Sequence, residues 1–315
     1  MVEMVEKKIH EEKSFEFKEK KKNKNDRRII VGLLIPALAS LAFFNYFPAI
    51  SGIKMAFQNY KLYDIHNIYW IGLDNFRKIL SDRLFLQTIP NTITWVLVSL
   101  FFQFTIGMAL ALMLRKNFRG KRIYESIIFL PWALSGFMIG LIWRWLFNGQ
   151  SGVVNDILMR LGVIAHPIGF LSSPELALPS AITANVWYGI AFFAIMISAA
   201  LKTVPSELYE SAEIDGATGV HKFFHITLPY IKPVLIVTTL LRVMWIINMP
   251  DLIFSMTGGG PAGSSNIITS HLMLQILNGS DYGMIAAGAL LLSLFMVVYT
   301  LAYLAISKFE KAGDF

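Results

Sequence analysis

The chain has no cysteine, which excludes disulfide staples, thiolate metal sites and cysteine nucleophiles together. It is also poor in charge. Only 16% of its 315 residues are Asp, Glu, Lys or Arg, against about 25% in soluble domains, so much of the chain must face something other than water. The centres of its apolar runs hold no carboxylate, the group that ion-coupled transporters usually need inside the membrane. No Ser–His–Asp set or paired carboxylate can be assembled. Gly258 to Ser264 mimics the spacing of a phosphate loop but lacks the lysine. His221 and His225 stand four apart with no third ligand in view, so no metal site is expected. The chain reads as non-enzymatic by itself.

What it has instead is oil. Apolar residues make up 55% of the sequence and the mean hydropathy is +0.55. A membrane-spanning helix needs roughly 20 largely apolar residues. Six windows meet that requirement: Ile29–Ile50, Ile89–Leu114, Tyr124–Phe147, Ala181–Leu201, Pro233–Ile253 and Met284–Ile306. Because lipid offers backbone groups no partner, each is expected to be helical, giving an all-α membrane protein with six transmembrane helices.

The net charge of +7 could suggest nucleic acid, but its location argues for topology. Residues 1–28 hold ten Lys or Arg against seven Asp or Glu, immediately before the first apolar run. This tail reads as a solvated segment whose cations keep the amino terminus inside, with a dedicated lipid or protein contact as the other reading. It does not read as a secretory signal, since Phe43 to Ile50 lacks a small-residue cleavage pattern. Counting the tail first, alternate connections carry ten, five, three and two Lys or Arg, while those between carry five, one and none. Both termini are therefore expected in the cytoplasm. Of the outer connections, Leu73 to Ile89 and Ser151 to Ile164 have helical apolar spacing, and the glycines before Pro261 exclude regular structure at 258–261.

The connection at 202–232 is unlike the rest. Glu207 to Pro229 reads "ELYESAEIDGATGVHKFFHITLP". Pro205 suits the first turn of a new helix, Glu207 its positive dipole end, and Gly216 its left-handed stop. Val220, Phe223, Phe224, Thr227 and Leu228 then follow helical spacing, with His221, Lys222 and His225 opposite. Pro229 is expected to end that second helix by pushing Leu228 out of the helical region. A helix resting its oily stripe on the inner leaflet would explain the amphipathicity, but not the fixed offsets of acid, small residue, glycine and Ile-x-Leu-Pro.

Glu210-Ser211-Ala212, then Gly216 after three intervening residues and Ile226-Thr227-Leu228-Pro229 after nine more, resemble the cytoplasmic EAA signature of ABC importer membrane subunits. Ser211 is the one departure, small like the usual alanine. "YWIGLDNFRKIL", "FLPWALSGFMIGLIWRWLFN", "NVWYGIAFFAIMISAALKTVP" and "LLRVMWIINMPDLIFSMTGGGP" extend the likeness to the maltose and glycerol-phosphate branch over about residues 29–306. The resemblance implies a type I ABC importer permease fold in the cytoplasmic membrane of a prokaryote. It places the core spans at about 89–306 and span one against a partner. It implies a second homologous permease subunit, two ATPase subunits that use ATP and Mg, and an external or periplasmic sugar-binding protein. No cofactor would be bound by this chain. The 202–232 loop would couple to an ATPase through Glu210, Ala212 and Gly216, with Leu208, Phe223, Ile226, Leu228 and Pro229 supporting the contact.

Candidates for the substrate path are fewer. Arg242 falls mid-span, where a charge faces protein or a water cavity. It is either a donor fork for substrate hydroxyls or phosphate, or a structural bond to neighbouring spans. Asn248 and Asp251 sit toward the outer end of the same window. Asn185, Tyr188, Gly189 and Phe192 match positions that contact sugar in maltose-type subunits, although Trp187 and Tyr188 also suit an interfacial aromatic belt. Arg144 reads as snorkelling to the outer interface, and Gly136 with Gly140 as close helix packing. The expected cargo is a di- or oligosaccharide, with glycerol phosphate or a polyol as the alternative; an ion-coupled carrier and a non-transporting receptor are the readings from other classes.

Overall fold

The computed structural model describes residues 30–116, 118–279 and 281–307. The basic tail at 1–28, and with it the expected cytoplasmic anchor, lies outside the described residues, as do Lys308 and Lys311. Two compact units divide the chain, Met1–Met55 and Ala56–Phe315. The first is represented by α1 (Ile30–Ala56), which loosens into a π turn at Ala42–Tyr46. Phe43 there makes an edge contact with Phe44 and stacks on Phe47, with centroids 5.1 and 6.4 Å apart.

The second unit is built on α3 (Arg83–Arg115), α7 (Pro174–Leu201), α9 (Gly219–Ile247) and α12 (Tyr282–Ser307), each long and apolar enough to cross a bilayer. The main contact is between α3 and α7. It is close because Gly107 presents no side chain; a Cβ there would strike Phe193 and lie 3.2 Å from the Ile190 carbonyl. Trp95, Ile139, Ala181, Ile246, Leu252 and Ile253 fill one core. Met108, Phe192, Phe193, Ile197, Leu201 and Ile231 fill a second, toward the carboxyl end of α7.

The expected single span at Tyr124–Phe147 is broken. α4 (Lys121–Phe129) runs through a 3₁₀ turn at Leu130–Ala133 and then meets α5 (Gly136–Leu146) at 104°. Pro131 tightens the turn, Leu134 is extended, and the Ser135 side chain caps α5 by accepting from the Met138 N–H. Among the described residues, five long helices and one bent pair therefore stand where six spans were expected. Gly136 and Gly140 let α5 press onto α10 (Pro250–Thr257): a Cβ at Gly140 would overlap Ser255, and one at Gly136 would overlap Asp251.

The window Pro233–Ile253 also needs correcting at its far end. α9 stops at Ile247, and Pro250 starts a separate helix because it keeps Met249 out of the helical region, at φ −123° and ψ 59°, and has no N–H to give. The carbonyls this frees are taken by side chains. Trp95 Nε1 donates to Ile246 at 2.9 Å and Thr269 Oγ1 to Ile247 at 2.7 Å. The outer connections form α2 (Asp74–Ser81) and α6 (Val153–Arg160), as the spacing predicted. Gly258 ends α10 in the left-handed region, and an irregular turn follows before α11 (Ile268–Asn278).

Candidate coupling segment and substrate path

At the carboxyl end of α7, the end that charge bias assigns to the cytoplasm, the chain folds into α8 (Ser206–Ile214) and the start of α9. Pro205 is extended just ahead of α8, and Glu207 lies in its first turn. Gly216 has φ +75°. The Ala217 N–H donates to the Ala212 carbonyl at 2.8 Å and the Gly216 N–H to Glu213 at 3.0 Å, the two-bond closure that a left-handed residue makes possible. Thr218 then caps α9 by accepting from the His221 N–H at 3.3 Å. Local chemistry alone sets this shape.

Longer contacts strap it to the bundle. Lys222 Nζ lies 2.6 Å from Glu213, tying the two helices together across the turn. That hydrogen bond holds the Glu213 carboxyl below the usual carboxylate range. The Tyr209 hydroxyl pairs with buried Thr227 Oγ1 at 2.8 Å, and the Arg115 guanidinium at the end of α3 sits 4.0 Å over the Tyr209 ring. The turn encloses a cleft of about 420 Å³ lined by Ala212, Gly216, Thr218, His221, His225 and Ile226. The two imidazoles stack there, centroids 3.9 Å apart.

The oily stripe predicted for the second helix divides. Phe223, Ile226 and Leu228 pack against the bundle around Phe193, Leu201 and Ile231, whereas Val220 and Phe224 are exposed. The cause is a π turn at Phe223–Thr227, which rotates the face by one residue. The same turn corrects the expected stop at Pro229. Leu228 stays helical, with φ −64° and ψ −45°, and the helix continues to Ile247. The wider turn ahead of the proline absorbs its ring and missing N–H, as π bulges and prolines do together. Leu208, Glu210 and Gly216 face solvent, and Ala212 is half-buried.

Inside the bundle, Arg242 on α9 is 1% exposed. Its Nε donates to Gln103 Oε1 at 2.7 Å, and a longer contact of 3.5 Å reaches Asn185 Oδ1. Gln103 Nε2 donates to the Asn185 carbonyl at 2.8 Å, and Asn185 Nδ2 to Ser99 Oγ at 2.9 Å. The guanidinium also faces the rings of Tyr188, at 5.1 Å, and Phe192, at 5.8 Å. Gly189 makes room for the whole set, since a Cβ there would overlap Gln103 and Arg242. Among the described residues no carboxylate pairs with Arg242, so neutral amides and ring faces solvate a buried charge.

Five of the predicted path residues, Asn185, Tyr188, Gly189, Phe192 and Arg242, thus form one node. Asn248 and Asp251 do not join it. Asn248 is exposed at the end of α9, bonded to the Met244 carbonyl at 3.0 Å. Asp251 belongs to α10, beyond the break at Pro250, not to the same span. Gln103 and Ser99 were missed. The visible signal was a lone amide in the apolar run "LFFQFT", since polar groups at membrane depth usually have a partner.

A family profile described as "Binding-protein-dependent transport system inner membrane component" matches residues 103–310, from the buried amide of α3 to past the end of α12. The chain belongs to this family of permeases. The trehalose/maltose transport system permease protein MalF of Thermococcus litoralis is 34% identical over 77% of this permease and 81% of its own length. The sulfoquinovosyl glycerol transport system permease protein SmoG of Agrobacterium fabrum is 32% identical over 90% and 91%. Among solved structures, a chain of a bacterial ABC transporter involved in the import of the acidic polysaccharide alginate superposes with a TM-score of 0.80 at 26% identity, covering 91% of this permease and 97% of that chain. The fold is therefore that of a type I ABC importer permease.

Proposed function

We propose that this permease is the membrane subunit of an ATP-driven importer that carries a glycoside, a di- or oligosaccharide in the first instance, into the cytoplasm of a prokaryote. The observation that carries the reading is the chemistry shared by its relatives' names: trehalose or maltose, sulfoquinovosyl glycerol, and diacetylchitobiose in a Streptomyces coelicolor permease 30% identical over 87% of this chain. All are glycosides, which favours that class over glycerol phosphate or a simple polyol. A second permease subunit, two ATPase subunits and an external binding protein complete the machine. ATP and Mg are used by the ATPases, and this chain binds no cofactor.

Force enters through Ser206–Thr227. Glu210, Ala212 and Gly216 form the exposed ridge and cleft that meet an ATPase, while Tyr209, Phe223, Ile226 and Leu228 hold that ridge to the bundle. Pro229 joins it to the span. Closure of the ATPases then moves a braced unit, not a slack loop, and the spans rock as rigid bodies around the path. Asn185, Tyr188, Gly189 and Phe192 offer that path an amide and ring faces suited to hydroxyls and the apolar faces of a sugar. Arg242 fixes their geometry, and Asn248 and Asp251 lie farther out. The test is affinity capture of the tagged chain from native membranes followed by uptake of labelled trehalose, maltose or chitobiose in vesicles. Retention of an ATPase and ATP-dependent uptake of a glycoside are expected; capture without any ATPase would overturn the reading.

A further inference from the structure

A second cleft lies at the opposite end of α7, 28 residues or roughly 42 Å of helix from the coupling segment. Its walls are the two connections that flank α6. Asn148 and Gly149 follow α5, Gly169 and Ser172 precede α7, and Arg144 and Thr257 at the end of α10 share the lining with the apolar Phe147, Leu171 and Met256. One side chain fixes the walls to each other. Asn155, 1% exposed, donates to the carbonyls of Asn148 and Gly149 at 3.3 Å and of Ile168 at 2.9 Å. Its Oδ1 accepts from the Ile168 N–H at 3.0 Å. Gly149 and Gly169 face each other closely enough that a Cβ on the first would sit 3.7 Å from the Cα of the second. The cleft is braced and keeps its opening without side chains in the way.

Arg144 is the one charged residue in that lining. Its Nη1 makes only a long 3.5 Å contact to the Ser255 carbonyl, and among the described residues it forms no ion pair. The neighbouring cation, Arg160, is already taken by Asp156 at 2.9 Å. Snorkelling explains the reach of Arg144 but not the braced walls around it. The volume, about 260 Å³, falls below the roughly 300–1,000 Å³ of typical small-molecule sites, which suits one inserted side chain better than an oligosaccharide.

We infer that this cleft receives an Asp or Glu side chain of the external solute-binding protein, with Arg144 as the cation that docks it. The inference rests on the importer reading above. The family is binding-protein-dependent by description, and a related alginate transporter is seen in complex with its substrate-loaded periplasmic protein. Charge, size and placement on the outer side agree with such a partner. An acidic saccharide entering from outside is the competing occupant.

The test uses the whole importer in lipid nanodiscs, with ATP hydrolysis followed against the concentration of its binding protein. Arg144→Glu should raise the half-saturating concentration about tenfold at low salt, as loss of a steering charge does, and Arg144→Lys by much less. Basal hydrolysis without binding protein should stay unchanged. Ser172→Phe, which fills the cleft at constant charge, should move half-saturation the same way. Unmoved half-saturation in both Arg144→Glu and Ser172→Phe would overturn the inference. So would a change confined to the substrate concentration needed for uptake at saturating binding protein, which would assign the cleft to the saccharide. Failure of the importer reading looks different: the wild-type complex would hydrolyse no ATP at all.

Discussion

The segment at Ser206–Thr227 and the Arg242 node build their polar contacts in opposite ways. The segment is exposed, and neighbours in sequence determine its shape: a proline, a glycine at φ +75° and a threonine cap within about a dozen residues. The node is buried, and its partners come from 57 to 139 positions apart in the chain. Damage to the first should change what the protein transmits. Damage to the second should change whether the bundle holds together.

The sharpest way to break the contrast is Gly216→Val. A Cβ there meets no neighbour, so the whole penalty, about 1–3 kcal/mol, is backbone strain in the turn. Uptake should be abolished while membrane insertion, followed by protease protection, is normal; wild-type uptake would remove the turn from the mechanism. Next is Gln103→Leu, which leaves a buried guanidinium short of its best acceptor and should destabilise the detergent-solubilised protein by about 3–5 kcal/mol, read as a lower melting temperature. The double variant Gln103→Leu with Arg242→Met should recover much of that loss, because no unpaired charge remains. Gly189→Ala should cost about 1–3 kcal/mol by overpacking, with Gly219→Ala, where nothing lies within 4 Å, as the neutral control.

Smaller effects sharpen the same distinction. Tyr209→Phe removes the hydroxyl contact to Thr227 but keeps the ring under Arg115, about 0.5–1.5 kcal/mol; its signature should be more ATP hydrolysed per glycoside imported. Glu213→Gln should be smallest, since Glu213 is exposed and salt screens such pairs. The carboxyl titrates lower folded than unfolded. The contribution of the Lys222 contact is therefore complete above the ordinary carboxylate range and is lost as pH falls through the lowered value. The Glu213→Gln and wild-type melting temperatures should converge in acid.

Legibility in the sequence follows the same division. The turn at Gly216, the helices at Asp74–Ser81 and Val153–Arg160, and the irregular stretch at 258–261 were all readable, because short-range sterics decide them. Pro229 was misread because a proline's effect depends on whether the preceding turn can widen, and nothing in "FFHITLP" announces the π turn. The break in Tyr124–Phe147 was hidden for a related reason: Pro131 and Ser135 are ordinary in an apolar run until a neighbouring α10 claims the glycine face of α5. Arg242 was conspicuous as a lone charge. Its acceptor was not, since a glutamine among phenylalanines gains meaning only when α3, α7 and α9 are brought together.

Because the chain does not stop at Pro229, α9 is one continuous arm from Gly219, beside the Gly216 turn, to Arg242 in the polar node. The arm is 23 residues, or roughly 35 Å. Pivoting such an arm about its tip by roughly ten degrees would sweep the guanidinium through about 6 Å, more than the reach of its bonds to Gln103 and Asn185. A stroke of that size in α9 alone would part the guanidinium from both amides, so α3 and α7 must travel with α9 for the node to hold.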